Sequence, residues 1–573
     1  MLNDNLSIGN ADLNGTSTPY RYSNQYQGQQ RKVKVIVVGA GLSGIAAVKI
    51  FKDTFKDGET DLVLYEKNHE VTGTWLENRY PGCACDVPAH GYTYSWEGNP
   101  KWSRAYVGAV ELYEYFKGRA TAYGVYDFVK LEHAVRGAEW DDATGEWVVK
   151  VEDLKTGATF EDRGAVLINA AGFLNSWKWP DIPGLESFQG KLLHSAKWDE
   201  TYDFKGKTIG VIGSGSSAIQ IIPQLQPIVQ HMTSFIRSST WITPEFAAEF
   251  APEGRTAFFS ERQKEEWVKD KRKFLEYRKA VDSSMNGFFP MQRKGSKGNK
   301  DAYDAFTKTM RERLSKKPEI ADVLVPNFSV GCRRITPGHG YLEALTSDTV
   351  TVRSDGIERI TPEGVQTKKG DIIKIDALIC ATGFDTTFRP NFPLIGPQKH
   401  DLRDLWAEEP RAYCSIAAPE MPNYFIMSGP NFPLANGCLV PCLEQNVRYA
   451  FQAVQKIQHD GIKSIIPKAA AIDAFQEYKD AMMNDLVWSD NCVSWYKNGK
   501  ADGKVWGPWP GSSLSYLELM KTPRWEDWDI EYLNKNRFHF LGNGITQREV
   551  TGTDLAYYVH EQDAEETKVG GSS

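Results

Sequence analysis

The sequence predicts an α/β fold with two Rossmann-like dinucleotide-binding domains, the second inserted in the first, together with a helical insertion. Two observations lead to this prediction. A glycine-rich loop between an apolar strand and a helix occurs twice, and two later apolar strands also end in small residues. The chain has 573 residues, more than one hydrophobic core usually serves, which agrees with several domains.

The first glycine-rich loop lies in KVIVVGAGLSGIAAVKIF, where a β-branched strand precedes the glycines and a helix follows. Gly39 permits the tight turn of the pattern GxGxxG, Gly41 lets a pyrophosphate approach the backbone, and Gly44 lets the helix pack on the strand. The next strand, DLVLYEKN, carries Glu66 where an acid binds a ribose diol. This unit therefore predicts binding of FAD or NAD.

The second loop lies in GKTIGVIGSGSSAIQIIPQL, where Gly213, Gly215 and Ala218 form GxGxxA. The strand that follows, HMTSFIRSS, carries Arg237 instead of an acid. An acid would repel a 2′-phosphate, whereas the planar donor fork of arginine fits one, so this unit predicts NADP. Taken alone, Arg237 is equally compatible with a solvated surface. Polar residues of the same unit are the further candidate NADP contacts: Ser216, Ser217, Gln220 and Ser238.

Two further strands support the same architecture. GAVLINAAG at 164–172 and KIDALICATGFD at 374–385 end in small residues, which lets the chain cross close to a dinucleotide where two domains meet. The predicted parts of the chain are an N-terminal extension at 1–30, an FAD-binding domain at 31–180 and 381–573, an NADP-binding domain at 181–245 and 329–380, and a helical insertion at 246–328.

The inserted segment combines helical apolar spacing with dense charge, as in FSERQKEEWVKDKRKFLEYRKAV and DAYDAFTKTMRERLSKK. We expect it to form a lid or a wall of the pocket. A later segment, KNGKADGKVWGPWPGSS at 497–513, is rich in Gly, Lys, Pro and Trp and predicts a long surface loop that acts as a mobile cover.

Composition argues against several other classes of partner. The net charge is −7 and no basic block occurs, which disfavours nucleic acid and anionic membranes. The N-terminal residues lack the apolar stretch of a signal peptide, and the longest apolar run is too short to span a bilayer. We therefore expect a cytoplasmic protein with no obligate protein partner. The eight cysteines show neither CxxC spacing nor a zinc-ligand pattern, so we expect reduced thiols and no metal site.

FAD next to NADP implies that NADPH delivers a hydride to the flavin, which then reduces another acceptor or dioxygen. A disulfide reductase would need a redox-active cysteine pair. Cys83 and Cys85 lie close in sequence, but their CxC spacing is not the usual one. Oxygen chemistry is therefore favoured. A negatively charged flavin peroxide would need fixed cations in a site that excludes water.

Candidate charges for that task occur in two separate segments. Arg333 and Arg334 lie in NFSVGCRRITPG, which has a strand-like pattern. Asp86, in TGTWLENRYPGCACDVPAH, is a candidate counter-charge that would fix the orientation of an arginine. From the residues alone, the arginines also suit a surface pair and the aspartate a loop cap.

Two sequence patterns resemble those of the type I Baeyer–Villiger monooxygenases, which are class B flavoproteins. FQGKLLHSAKWD matches FxGxxxHxxxW followed by Pro or Asp; the matching positions are Phe188, Gly190, His194, Trp198 and Asp199. The pattern [AG]GxWxxxx[FY]P[GM]xxxD is matched at Gly73, Trp75, Tyr80, Pro81, Gly82 and Asp86. The resemblance extends over about residues 30 to 545.

The resemblance implies roles for individual residues. Arg334 would stabilise a C4a-peroxyflavin and the Criegee intermediate, and Asp86 would pair with it. Arg333 would help to bind the NADP 2′-phosphate, and Trp495 would contact the nicotinamide nucleotide from a mobile loop. His194 would lie on the linker between the domains and couple domain movement to catalysis. Further expected cofactor contacts are Thr74, Trp75, Asp86 and Tyr92.

The implied activity is that of an oxidoreductase that uses FAD, NADPH and O2 to convert a small-molecule ketone into an ester or lactone. Thr72 and Ala84 depart from the family, the latter replacing a common arginine, which indicates a divergent pocket entrance. The alternatives are a flavin monooxygenase that oxidises N or S nucleophiles, an uncoupled NADPH oxidase and a nucleotide-binding protein without turnover. Trp198 and Asp199 favour the ketone reaction, because the N- and S-oxidising enzymes usually have Tyr or Phe there.

Overall fold

A computed structural model describes residues 20–29, 31–56 and 58–559. The predicted N-terminal extension at 1–30 therefore lies mostly outside the described residues, as does the end of the last predicted segment. Within the described part of the chain, no helix is both long and apolar enough to cross a membrane.

The first sheet has five strands, all parallel to their neighbours. In spatial order they are Tyr424–Ile426, Val166–Asn169, Val33–Val38, Thr60–Glu66 and Val129–Leu131. The central strand is apolar except for Lys34, because both of its faces are covered: Val35 and Val37 pack against helices, and Ile36 and Val38 pack against a smaller antiparallel sheet.

The second sheet repeats this arrangement with five parallel strands. In spatial order they are Val350–Arg353, His231–Phe235, Thr208–Ile212, Ala377–Cys380 and Lys191–His194. Ala377 and Ile379 belong to the core on the helical face, and Leu378 and Cys380 to the core beneath a three-stranded sheet. These strands fall between Val166–Asn169 and Tyr424–Ile426 of the first sheet in chain order, so the predicted fold class, with one unit inserted in the other, is confirmed.

Four smaller sheets accompany the two parallel ones. A four-stranded sheet packs on the first parallel sheet: Leu394–Ile395, His133–Asp141, Glu146–Asp153 and Thr159–Gly164. A three-stranded sheet packs on the second: Ile357–Thr361, Gly364–Thr367 and Ile372–Lys374. Two strand pairs complete the set: Ile242–Thr243 with Thr336–Pro337, and Ile462–Pro467 with Trp528–Tyr532.

Helices cover the outer faces and fill the inserted segment. Outside that segment the α-helices are Leu42–Thr54, Thr74–Glu77, Ala109–Tyr123, Ser216–Leu225, Tyr341–Leu345, Leu402–Leu405, Leu439–His459, Ala469–Asn484, Ser513–Leu519 and Gln547–Thr551. Within it they are Glu261–Lys269, Lys271–Asn286, Lys297–Arg313 and Glu319–Leu324. Short 3-10 helices are Ala89–Gly91, Val125–Asp127, Leu185–Ser187, Ala248–Phe250, Phe289–Gln292, Val487–Ser489, Trp495–Lys497, Trp525–Asp527 and His539–Leu541.

Three local predictions differ from the structure. Arg333 and Arg334 lie in a turn rather than a strand, because the chain bends at Gly331 (φ +94°), and the strand begins only at Thr336. His194 ends a strand of the second sheet rather than lying on a linker. The segment 497–513 is not a surface loop throughout, because its tryptophans Trp506 and Trp509 are buried.

The prediction of reduced thiols is wrong for two cysteines. Cys332 and Cys492, which are 160 residues apart in the chain, form a disulfide with a Cα–Cα distance of 6.4 Å. Neither lies near the other in sequence, so spacing could not reveal the pair. The other six cysteines are free, and all but Cys83 are buried.

Candidate active site at the ends of the two parallel sheets

A continuous cavity of about 970 Å³ lies where the carboxyl ends of the two parallel sheets approach each other. It is lined by the first glycine-rich loop, including Gly39 and Gly41, and by the second, including Gly215. Sites of this kind form where the strand order of a parallel sheet reverses on either side of a central strand. Here the strands Val33–Val38 and Thr208–Ile212 are those central strands.

The first glycine-rich loop has the geometry that its sequence predicts. Gly39 has φ +101°, and a Cβ atom there would lie only 2.8 Å from the carbonyl oxygen of Ala170. A Cβ on Gly44 would overlap the carbonyl oxygen of Gly39, so this glycine allows the helix to lie against the turn. The helix Leu42–Thr54 has no side-chain cap, so its first backbone N–H groups remain available to an anion at the cavity.

Glu66 stands at the end of the second strand with its carboxylate facing the same loop. Its Oε2 accepts a hydrogen bond from the backbone N–H of Ala40 at 2.8 Å, and its Oε1 accepts one from Asn68 at 2.9 Å. Burial raises the pKa of Glu66, while these backbone hydrogen bonds lower it. The carboxylate lines the cavity and is held in place for a hydroxyl donor.

The second loop mirrors the first. Gly213 has φ +125°, and a Cβ there would overlap the carbonyl oxygen of Ala381, at the end of the strand that pairs with it. Gly215 has open space where a Cβ would stand, and the helix Ser216–Leu225 again has no side-chain cap. Three predicted contacts on this helix line the cavity: Ser216, Ser217 and Gln220.

Gln220 also connects this helix to the segment that contains Asp86. It accepts a hydrogen bond from the Tyr80 hydroxyl at 2.9 Å and donates one to the Ala84 carbonyl at 3.0 Å. Gly82 lies against the same helix, since a Cβ there would meet the Gln220 carbonyl oxygen at 2.5 Å. Tyr80 and Gly82, which belong to the second family pattern, therefore hold the Asp86 segment against the second glycine-rich unit.

A cluster of cationic and hydroxyl groups lies beyond the second loop. Arg333 donates to the Ser238 hydroxyl at 3.0 Å and to the Ser239 carbonyl at 2.7 Å. Burial lowers the pKa of Arg333, and the nearby charge of Arg237 lowers it further. An anion bound by both guanidinium groups would relieve the repulsion between them. The two arginines therefore form a site that suits a phosphate.

Arg334 and Asp86 form an ion pair that faces the cavity. The Arg334 Nη2 lies 2.7 Å from Asp86 Oδ2, and its Nη1 donates to the Leu434 carbonyl at 3.4 Å. The Arg334 side chain is 38% exposed and that of Asp86 15%, so the carboxylate lies behind the guanidinium. Asp86 raises the pKa of Arg334 above its usual range, which keeps a permanent positive charge at this position.

Aromatic rings form another wall of the cavity. Trp495 stacks on Phe173 with ring centroids 5.6 Å apart, and Phe173 stacks on Phe388 at 5.5 Å. Trp75 and Tyr92 meet edge to face at 5.6 Å next to the first loop. All five of these residues line the cavity, as does Thr74. Phe173 and Phe388 were not predicted, because each is a single aromatic residue in an irregular segment.

The FxGxxxHxxxW residues lie outside the cavity lining. A Cβ on Gly190 would meet the Asp376 carbonyl oxygen at 2.5 Å, and Trp198 stacks on Phe204 at 5.5 Å. His194 stacks on Trp177 at 4.5 Å and lies 3.2 Å from the Thr382 hydroxyl. Phe188 packs in the core beneath the three-stranded sheet, and Asp199 pairs with Lys191 at 2.5 Å. These residues therefore shape the edge strand of the second sheet.

Apolar side chains from the inserted segment and from the C-terminal part of the chain enclose the cavity near Arg334. They are Met285, Phe432, Leu434, Cys438, Leu439 and Leu443. Met285 belongs to the helix Lys271–Asn286, so the inserted segment forms a wall of the cavity. Apolar walls beside a fixed cation suit a substrate with a small polar group on a hydrocarbon frame.

The residues present fit two dinucleotides. Each sheet places an uncapped helix N-terminus and a glycine too crowded for a side chain at the same cavity. The first unit adds a carboxylate and the second a pair of arginines. This difference matches a cofactor with a free ribose diol in the first unit and one with a ribose phosphate in the second.

Comparison with known proteins shows the family. The family model described as flavin-binding monooxygenase-like matches residues 32–254. The chain is 38% identical over 536 residues to the FAD-binding monooxygenase tazF of Aspergillus terreus, covering 92% of this chain and 95% of that protein. It is 30% identical over 500 residues to a Baeyer–Villiger monooxygenase of Pseudomonas aeruginosa, covering 86% of this chain and 90% of the other.

Solved structures show the same fold. Cyclohexanone monooxygenase from Rhodococcus sp. Phi1 bound to NADP+ superposes with a TM-score of 0.75 at 24% identity, covering 87% of this chain and 99% of the other. A steroid monooxygenase bound to NADP superposes with a TM-score of 0.73 at 25% identity, covering 87% and 99%. Fold and site together define an FAD-containing, NADPH-dependent flavin monooxygenase. Within that class, the chain belongs to the family of type I Baeyer–Villiger monooxygenases.

Proposed function

We propose that this enzyme performs Baeyer–Villiger oxidation of a small ketone, inserting one oxygen atom of O2 between the carbonyl carbon and a neighbouring carbon. The other oxygen atom leaves as water, and NADPH is oxidised to NADP+. The observation that carries the proposal is the Arg334–Asp86 ion pair, which faces a cavity bordered by both glycine-rich loops and by apolar walls.

The first unit would hold FAD, which supplies the redox chemistry and the activation of dioxygen when bound. Gly41 and the N-terminus of the helix Leu42–Thr54 would bind the pyrophosphate, and Glu66 the ribose diol. Thr74, Trp75 and Tyr92 also line the cavity, and the flavin ring would lie against them.

The second unit would hold NADP. Gly215, Ser216, Ser217 and Gln220 would border its pyrophosphate, with Gly213 shaping the turn. Arg237, Ser238 and Arg333 would bind the 2′-phosphate through charge-assisted hydrogen bonds. Trp495 would cover the nicotinamide end of the nucleotide. The proposal includes the domain boundaries. The FAD-binding domain would comprise 31–180 and 381–573, the NADP-binding domain 181–245 and 329–380, and the helical insertion 246–328.

Arg334 would provide a fixed positive charge where negative charge develops on oxygen during the reaction. Donors that are already oriented stabilise such charge more than water does, because no reorganisation is needed when the charge appears. Asp86 keeps the guanidinium oriented by accepting the hydrogen bond that Arg334 Nη2 donates. The aromatic wall formed by Phe173, Phe388 and Trp495 would exclude water from the same region.

The test is a substrate panel on the FAD-loaded enzyme with NADPH and O2. The panel contains linear, cyclic and aryl ketones, with a tertiary amine and a thioether as arms for the alternative flavin chemistry. We expect NADPH consumption coupled to an ester or lactone one oxygen atom heavier than at least one ketone. Oxygenation of the amine or thioether alone would overturn the proposal, as would full recovery of the consumed O2 as peroxide with every ketone.

A further inference from the structure

The Cys332–Cys492 disulfide joins two segments that both contribute to the cavity. Cys332 directly precedes Arg333 and Arg334, and Cys492 precedes Val493 and Trp495. Both cysteines are buried, at 0% and 3% exposure. The bond therefore fixes the segment that carries Trp495 to the turn that carries the arginines.

The segment around Trp495 has few regular hydrogen bonds that would hold it there without the disulfide. Most backbone hydrogen bonds of residues 494–500 close on the segment itself, as in Gly499 N–H to the Ser494 carbonyl at 2.9 Å. The Tyr496 carbonyl also accepts hydrogen bonds from the N–H groups of Trp506 and Gly507, at 2.9 and 3.2 Å. Residues 498–500 are exposed, and Val493 is 43% exposed. Exposed segments of this kind open at low free-energy cost, so a covalent link strongly reduces the population of the open state.

Lys497 lies beside the disulfide in a buried position. Its side chain is 1% exposed, and its ammonium group donates to the carbonyl oxygens of Asp490 and Ala501. The same Nζ is 3.9 Å from Cys492 Sγ. A cation at this distance stabilises a thiolate, so Cys492 is the better leaving group when the bond is attacked.

We propose that Cys332 and Cys492 form a redox-controlled tether that determines how tightly the Trp495 segment closes the active site. The reductant is a dithiol. Its thiolate bonds to Cys332 Sγ, the S–S bond breaks, and Cys492 leaves as a thiolate with the electron pair. The second thiol of the dithiol then displaces Cys332, which takes up a proton. The dithiol becomes a disulfide, and the enzyme gains two thiols.

The proposed tether lies at the same site as the proposed function. The proposal rests only on NADPH oxidation by the flavin enzyme, and it does not require a ketone substrate. In the disulfide form the Trp495 segment stays closed and water is excluded. In the dithiol form the segment opens more often and admits water, so O2 that is reduced with the electrons of NADPH leaves as hydrogen peroxide at a higher rate. The difference in the rate of peroxide release between the two forms is measurable without ketone. A failure of this proposal is therefore distinguishable from a failure of the Baeyer–Villiger assignment.

The first experiment establishes the bond. The FAD-loaded protein is equilibrated in air, alkylated without reduction and digested, and the peptides are identified by mass spectrometry. We expect a peptide that contains linked Cys332 and Cys492, with the other six cysteines alkylated after denaturation. Recovery of Cys332 and Cys492 as alkylated thiols would overturn the proposal.

The second experiment measures hydrogen peroxide released at saturating NADPH, with and without prior treatment by a dithiol that is then removed. We expect treatment to increase the rate of peroxide release roughly twofold or more in the wild type. Cys332→Ser and Cys492→Ser should show the higher rate constantly and no response to the dithiol. An unchanged rate in wild-type enzyme whose reduction is confirmed by alkylation would overturn the proposal without relying on either variant.

Lys497 provides a matched pair of variants for the chemistry of the bond. Lys497→Met should slow reduction by the dithiol about tenfold, because the departing thiolate loses its cation, whereas Lys497→Arg should retain a rate close to that of the wild type. The rate is followed by the appearance of alkylated Cys492. Equal rates in all three proteins would contradict the role given to Lys497.

Discussion

Arg334 and Asp86 are 248 residues apart in the chain, yet Arg334 Nη2 lies 2.7 Å from Asp86 Oδ2 at the cavity. The aspartate comes from the segment that follows the first glycine-rich unit, and the arginine follows the inserted helices. Both are positioned by contacts with the second unit: Gln220 holds the Asp86 segment, and Ser238 holds the neighbouring Arg333. The pair therefore depends on the two parallel sheets being in place.

Replacing Asp86 should affect oxygenation more than flavin reduction. Asp86→Asn removes the charge that orients Arg334 while keeping the size of the side chain, and loss of a charge-assisted hydrogen bond costs about 1.5–3 kcal/mol. We expect oxygenation to fall roughly 10- to 100-fold and peroxide release to rise. Stopped-flow spectroscopy without oxygen, which follows flavin reduction by NADPH, provides the control and should change little.

A double-mutant cycle tests whether the two residues act together. If Asp86 acts through Arg334, then Asp86→Asn should have little further effect in an Arg334→Lys background. Additive losses would show that Asp86 contributes to oxygenation independently of Arg334.

Arg237 should determine the preference for NADPH over NADH. Arg237→Ala removes one of the two guanidinium groups near Ser238, so the KM for NADPH should rise roughly 10- to 100-fold, while the KM for NADH should change little. Arg237→Lys keeps the charge but not the planar donor fork, so its KM for NADPH should lie between those of the wild type and Arg237→Ala. Steady-state kinetics with both nucleotides gives the ratio. A parallel increase for NADH would place Arg237 away from the 2′-phosphate.

Glu444 should make stability depend on pH near neutrality. Burial raises the pKa of Glu444 from 4.5 to about 7, and its carboxyl group bonds to the Ser95 N–H at 2.7 Å and the Ser95 hydroxyl at 2.5 Å. Between those pKa values the folded chain binds more protons than the unfolded one, so the free energy of unfolding falls as pH rises. The expected loss is about 3 kcal/mol between pH 4.5 and 7.

Glu444→Gln is the matched variant for this effect, because it keeps the size and remains neutral. Burial lowers the pKa of His90 to about 3 and that of His194 to about 4, and these groups contribute with the opposite sign. The quantity to measure is therefore the difference between variant and wild type in denaturant unfolding at several pH values. A difference that does not change between pH 4.5 and 7 would contradict the assignment.

Gly190 should matter for stability rather than for chemistry. A Cβ at this position would meet the Asp376 carbonyl oxygen at 2.5 Å, so Gly190→Ala must shift backbone at the edge of the second sheet. We expect a loss of about 1–3 kcal/mol in the free energy of unfolding and a lower midpoint of thermal unfolding. The rate of flavin reduction in the protein that remains folded should stay close to that of the wild type. Loss of that rate without loss of stability would place the glycine in the catalytic machinery.

The two nucleotide-binding units could be predicted from the sequence because their signals are local. Gly39 and Gly213 occur between a strand and a helix within a few residues, and the structure places both where a side chain would collide with the next strand end. Glu66 and Arg237 are predictable for the same short-range reason, since Glu66 is the last residue of the neighbouring strand of its unit and Arg237 follows shortly after the strand His231–Phe235.

Other parts of the site depend on contacts between distant segments and could not be predicted. No periodicity indicates that Cys332 would meet Cys492, or that Phe173 would stack on Trp495. The segment 497–513 has the composition of a loop, yet Trp506 and Trp509 are buried because other segments surround them. The residues alone indicate Asp86 as a candidate counter-charge for an arginine, and the resemblance to a family implies that this arginine is Arg334.

Insertion of oxygen into a ketone by means of Arg334 is tested most directly by one isotope measurement. The FAD-loaded enzyme is supplied with NADPH, a ketone that is consumed and ¹⁸O2, and the product is analysed by mass spectrometry beside the Arg334→Ala variant. We predict an ester or lactone carrying one ¹⁸O atom from the wild type, and from the variant only hydrogen peroxide with flavin reduction retained. Labelled ester formed equally by the variant, or product without ¹⁸O, would contradict the account.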